Sequence, residues 1–201
     1  MAFPDFFDTV PGVRVHDGLS ELLGATPDGI VDYRYADAVR LAGHSCPTVA
    51  GAYLMGRAAL KALYPDSLPE RGQVEVTLPD AEDAGVTDVI GQVLTLLTGA
   101  AANGFKGLGG RHGRAHLLHY DASAGGGDII FRRRDTGAPV GVHLNLASVP
   151  ADPAQGPLLA AILGGQPDPN DQVRFGQLWQ DRVQRLLEHA DDPEVICVRT
   201  A

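Results

Sequence analysis

Residues 48–64 constrain this chain more than any other stretch. From Thr48 to Tyr64 the chain is mostly apolar and spaced by Ala and Gly. Such a run predicts a buried helix. Its start is punctuated by Gly43-His44-Ser45-Cys46-Pro47. Pro47 suits the first helical position, because its missing N–H would have no partner there. Gly43 suits the end of a preceding helix. Two helices should therefore meet at this corner, a favourable place for a cavity.

The corner holds an imidazole and one of only two thiols within three residues. Cys46 falls at the positive end of the helix dipole, where negative charge is favoured. A thiolate beside an imidazole can bind a soft or borderline metal or act as a nucleophile. The plain alternative is that Cys46 is an inert core residue. Two ligands are too few for a closed zinc site, so any others must come from elsewhere in the chain.

Histidines concentrate at His112, His116 and His119. On a strand His116 and His119 point to opposite faces, so the three cannot share one metal without distortion. His112, on the loop before that strand, is freest to reach inward and is the candidate third ligand beside His44 and Cys46. His16 is ambiguous, and His143 and His189 read as surface or packing residues. Asp80, Glu82 and Asp83 could give a hard ligand or a general base. Asp83 is the pick among them, and joins Cys46 as a candidate catalytic residue. Early-turn carboxylates also need no such role, since they stabilise a helix through its dipole.

The loop with Gly99, Gly104, Gly107, Gly109 and Gly110 matches neither phosphate-binding fingerprint. It suits a close approach of backbone to a ligand. Lys106, Arg111 and Arg114 within it would neutralise an anionic substrate, or simply solvate the loop.

The periodicity predicts an α+β fold in a single domain over 1–201. Phe3, Phe6 and Phe7 should pin the first residues to the body. Asp17 should cap a short helix through Leu23, and Asp32 should start the helix that Gly43 ends. A strand is expected over 72–78 and a helix over 86–97. Three antiparallel strands follow over 115–120, 128–134 and 139–146, the first two joined at 125–127. A short helix over 158–163 precedes an Asn170-capped amphipathic helix to His189. Val173, Leu178, Trp179, Val183, Leu186 and Leu187 form its packed side. A last strand covers 194–199.

A net charge of −9 argues against nucleic acid. The longest apolar stretch, 86–102, is interrupted by Asp88, Gln92, Thr95 and Thr98 and is too polar for a bilayer. No basic region followed by a hydrophobic core opens the chain, so a cytoplasmic protein is expected. Cys46 and Cys197 make no disulfide framework.

Gly43-His44-Ser45-Cys46-Pro47, with Gly51 and Met55-Gly56 after it, resembles the opening motif of the FmdE family, which takes its name from formylmethanofuran dehydrogenase. The Asp88-Val89-Ile90-Gly91-Gln92 segment, Leu97-Thr98-Gly99, the Gly/Lys loop and Gly113-Arg114-Ala115 are similar to its later blocks. The resemblance covers roughly residues 30–145. It implies an α+β homodimer with a cavity into which the His and Cys of the motif point, and a bound metal, usually zinc. The chain differs in having Ala100 where the family often has a further Cys. It also has a helix and strand over 150–201 in place of a Cys-X-X-Cys appendage. The expected function is metal binding, with metal-assisted chemistry on a small molecule. The alternatives are a non-catalytic metal-binding accessory to a redox enzyme, or a structural dimer without metal.

Overall fold

The computed structural model describes residues 3–121, 127–165 and 168–200. Its first unit is an antiparallel hairpin of β1 (Val13–His16) and β2 (Ile30–Tyr33), with α1 (Gly18–Leu22) in the connection. Asp17 caps α1 through the backbone N–H groups of Leu19 and Ser20, as the sequence predicts. Asp32, expected to start a helix, instead sits in β2 opposite Arg14. The helix α2 (Tyr35–Ala42) starts later because Asp37 closes its first turn, accepting the Arg34 N–H at 2.8 Å. Gly43, at φ 75°, ends α2 with its N–H on the Val39 carbonyl.

Cys46 then caps α3 (Pro47–Leu63), with Pro47 in the first turn. Val49, Ala50, Ala52, Tyr53, Leu54 and Ala59 are completely buried, as a largely apolar helix requires, while Lys61 near its end is exposed. The strand β3 (Val74–Leu78) and the helix α4 (Thr87–Thr98) follow. Beyond the Gly-rich loop come β4 (Leu118–Tyr120), β5 (Ile129–Arg133) and β6 (Pro139–Leu144). α5 (Gln155–Leu163), α6 (Pro169–Glu188) and β7 (Ile196–Thr200) complete the chain.

Strands β3 to β7 form a five-stranded sheet in the order β4-β3-β5-β6-β7, separate from the β1–β2 hairpin. The class is α+β, but the sheet is mixed. β4 does not pair with β5 as a simple run of antiparallel strands would; it lies outside β3 and parallel to it, with Val76 opposite Leu118. β3 takes the place beside β5, Val76 opposite Phe131. The connection expected at 125–127 falls mostly outside the described residues.

α3 runs through the middle, packed on α4, α2 and α6 and on strands β6 and β7. Gly51 permits the approach to β6, because a Cβ there would run into a methyl of Leu144. Phe7, Tyr35 and Tyr53 stack edge-on at 4.8 and 5.8 Å, and Phe3 lies on Phe7, so the aromatic cluster does pin the first residues to the core. Asp168, not Asn170, caps α6, its carboxylate accepting the Asn170 N–H at 2.8 Å. Val183, Leu186 and Leu187 are buried as expected, whereas Val173, in the first turns, is 61% exposed.

Candidate functional site

The corner between α2 and α3 is set by short-range bonds. His44 is exposed, and its Nδ1 lies 3.0 Å from the Ala42 carbonyl oxygen. A carbonyl can only accept, so Nδ1 carries the proton and Nε2 of the neutral ring is left as a lone-pair donor. His44 lines a cavity of about 190 Å³ with Leu41 and Ala42 of α2 and Asp88, Val89, Gln92 and Val93 of α4. Apolar walls with a few polar groups are the usual composition of a small-ligand site.

Cys46 faces inward. It is 7% exposed, belongs to the hydrophobic core, and its Sγ accepts the Val49 N–H at 3.4 Å. Tyr35, beside it, is fully buried. Burial drives the Tyr35 hydroxyl well above its ordinary range, with Cys46 adding in the same direction and a hydrogen bond to Ser45 opposing.

Ser45 lies between the two. Its hydroxyl is 2.9 Å from the Tyr35 hydroxyl and donates to Gln180 Oε1 at 3.0 Å. Its carbonyl oxygen accepts from Trp179 Nε1 and Gln180 Nε2, each at 3.1 Å.

The remaining sequence candidates lie elsewhere. His112 ends a short 3-10 turn (Gly110–His112), and its ring lies over Gly18, where a Cβ would come within 3.3 Å of both His112 Cε1 and Glu70 Oε1. Arg114 is buried, with Nη2 at 2.6 Å from both carboxylate oxygens of Asp17. Arg71 joins them, bonding Asp17 and the carbonyls of Thr95 and Leu96 at the end of α4. Lys106 and Arg111 are exposed on the loop, and Asp83 is exposed on the turn before α4. The structure thus keeps His44 and Cys46 at one corner and brings neither His112 nor Arg114 to it. Among the described residues no three His, Cys, Asp or Glu side chains are grouped to hold a metal ion.

As site residues, Asp88, Gln92, Ser45 and Gln180 were missed by sequence reasoning. Asp88 and Gln92 are four apart, which puts them on one helix face; that spacing was the available signal. Nothing local in the sequence marks Gln180 as a partner of Ser45. No helix of the described residues is long and apolar enough to cross a membrane. Compared with protein-family models and with curated proteins, the chain matches none.

Proposed function

We propose that this chain is a metal-binding protein whose site begins at His44 and Cys46, and that it uses the metal for chemistry on a small molecule in the adjoining cavity. One observation carries the reading. Each donor already holds the outer hydrogen bond that orients a metal ligand: Nδ1–H of His44 on the Ala42 carbonyl, and the Val49 N–H on Sγ of Cys46. Nε2 and the remaining sulfur lone pairs are left for an ion. Imidazole and thiolate are donor types zinc prefers, and the Asp88 carboxylate lines the same cavity as His44.

Bound there, zinc would act as a Lewis acid or activate a water at an open position. His44 and Cys46 would hold it, Asp88 on the wall of the His44 cavity would take up a proton, and the apolar wall of Leu41, Val89 and Val93 would limit water. The chain would pair into a homodimer, as the resemblance of the motif implies. The exposure of His44 also suits a second reading, a carrier that passes the ion to a redox enzyme.

Metal analysis of untagged protein, purified without added metal, tests the assignment. The expected result is zinc bound to the wild type and lost in His44→Ala and Cys46→Ala. Full metal content in both variants would refute it. A zinc-dependent change in mass by light scattering tests the dimer.

A further inference from the structure

A second cleft borders α4, between that helix, β4 and the Gly-rich loop. It measures about 370 Å³, and Glu82, Gln92, Asn103, Phe105 and Tyr120 line it. That volume falls in the range of small-molecule sites. We propose that this cleft binds a flat organic cation, an aromatic ring bearing a protonated N–H group, with the ring on Phe105 and the charge beside Glu82. The binding does not depend on a metal at His44 or Cys46.

Phe105 distinguishes the cleft from an ordinary surface groove. Its φ is 55°, a left-handed conformation that is costly for a bulky side chain. Glycine takes that conformation freely and occupies 104, 107, 109 and 110 in the same loop, yet position 105 keeps a phenyl ring. Burial does not recover the cost, since Phe105 is 62% exposed. The ring is held by Arg114, whose guanidinium carbon lies 5.1 Å from its centre and whose charge is fixed by Asp17. The loop is closed at its base, where the N–H groups of His116 and Leu117 donate to the carbonyls of Ala102 and Ala101. An anchored loop thus presents an exposed aromatic ring to the cleft, and strain of this kind collects at ligand-binding positions.

The polar lining selects the charge. No lysine, arginine or histidine among the described residues lines the cleft, whereas Glu82 does. Burial holds the Tyr120 hydroxyl above its ordinary range, and the carboxylates of Glu82 and Asp88 push it further in the same direction. Tyr120 therefore stays protonated at neutral pH, in a negative field. Gly91 makes room for that hydroxyl, because a Cβ there would come within 2.5 Å of it. Among the described residues, no partner takes up the side-chain polar atoms of Gln92, Asn103 or Tyr120, which leaves them for a ligand. An anion would meet Glu82 with no compensating cation. An N–H-bearing cation meets acceptors at Glu82, the Tyr120 oxygen and the two amides.

NMR of the full nitrogen-labelled chain, titrated with benzamidine, benzamide and benzoate, tests this. The three probes share one ring and differ in charge. Benzamidine is expected to shift the backbone amides of Gly104, Phe105 and Tyr120 and the side-chain amides of Gln92 and Asn103. Benzamide should bind more weakly, and benzoate should leave these signals in place. Glu82→Gln should weaken benzamidine binding about 2–5-fold, and Phe105→Ala about 2–10-fold. Phe105→Tyr keeps the ring and should bind like the wild type. Glu82 and Phe105 are both exposed, so the variants test the cleft without removing core. Benzoate binding equal to that of benzamidine, benzamidine shifts that avoid the cleft, or unchanged benzamidine binding in both Glu82→Gln and Phe105→Ala would overturn the proposal.

Discussion

Arg114 and Asp17 form a buried pair, their side chains 6% and 5% exposed, with one guanidinium nitrogen 2.6 Å from each carboxylate oxygen. Arg71 closes the group from the other side at 2.9 Å. Asp17 is also the cap of α1, so one carboxylate ties the first hairpin to the Gly-rich loop and to the end of α4. Asp17→Asn leaves two buried guanidinium groups without their counter-charge, and the expected cost is about 3–5 kcal/mol. Urea unfolding of the variant measures it; a loss below about 1 kcal/mol would show the group to be dispensable.

His16 makes stability depend on pH near neutrality. Its Nδ1 lies 2.6 Å from Glu70 and its Nε2 3.2 Å from Glu21. The hydrogen bond to Glu70 raises its pKa above the ordinary 6.5, against an opposing effect of burial, with Glu21 adding to the rise. A raised value means that the stabilisation is complete below the unfolded value and is lost as pH rises through the folded one. Unfolding free energy should therefore fall between mildly acidic and mildly alkaline pH, and His16→Gln should flatten that slope. Chemical denaturation at a series of pH values checks it. An unaltered slope would move the titration to another group.

Asp191 acts at the acid end. Hydrogen bonds from Arg57 and Lys61 bring its carboxyl down to about 2. A lowered value means stabilisation that is present above the unfolded value and lost as pH falls toward the folded one. The side chain is 55% exposed, so solvent screening keeps the effect small. Melting temperature should drop less steeply between about pH 4 and 2 in Asp191→Asn than in the wild type. Equal acid sensitivity of the two proteins would count against the pair.

Cys46 has two separable roles. As the cap of α3 it accepts the Val49 N–H. Cys46→Ala removes the cap and should cost about 0.5–1 kcal/mol, while Cys46→Ser supplies a hydroxyl cap and should hold stability near that of the wild type. Both variants remove the thiolate, so on the proposed function both lose metal. Thermal melts and metal content on the same preparations separate cap from ligand. Retention of metal by Cys46→Ser would leave the residue with its capping role alone.

The α2–α3 corner was legible because its signals are local: Gly43 where α2 must end, Pro47 in a first turn, and a largely apolar helix after it. The first hairpin was not. Val13 and Val15 do alternate inward, but four-residue strands give little periodicity, and Asp32 has the composition of a helix cap. Its place comes from the backbone pairing of β2 with β1, which sets it opposite Arg14. The parallel placement of β4 was hidden for the same reason, since pairing partners are not encoded in a strand's own three residues. Arg114 is the clearest case at the site. On a glycine-rich loop it reads as a cation available to a ligand, and only the fold reveals that Asp17, 97 residues earlier, already occupies it.

The long separation between Ser45 and its partners on α6 has a consequence for biosynthesis. A nascent chain that has emerged as far as α5 already contains every residue of the α2–α3 corner and of strands β3 to β6, yet lacks Trp179 and Gln180. The corner gains these two anchors only after more than a hundred residues beyond Ser45 have been made, so Ser45 stays without its α6 partners through the synthesis of strands β3 to β6.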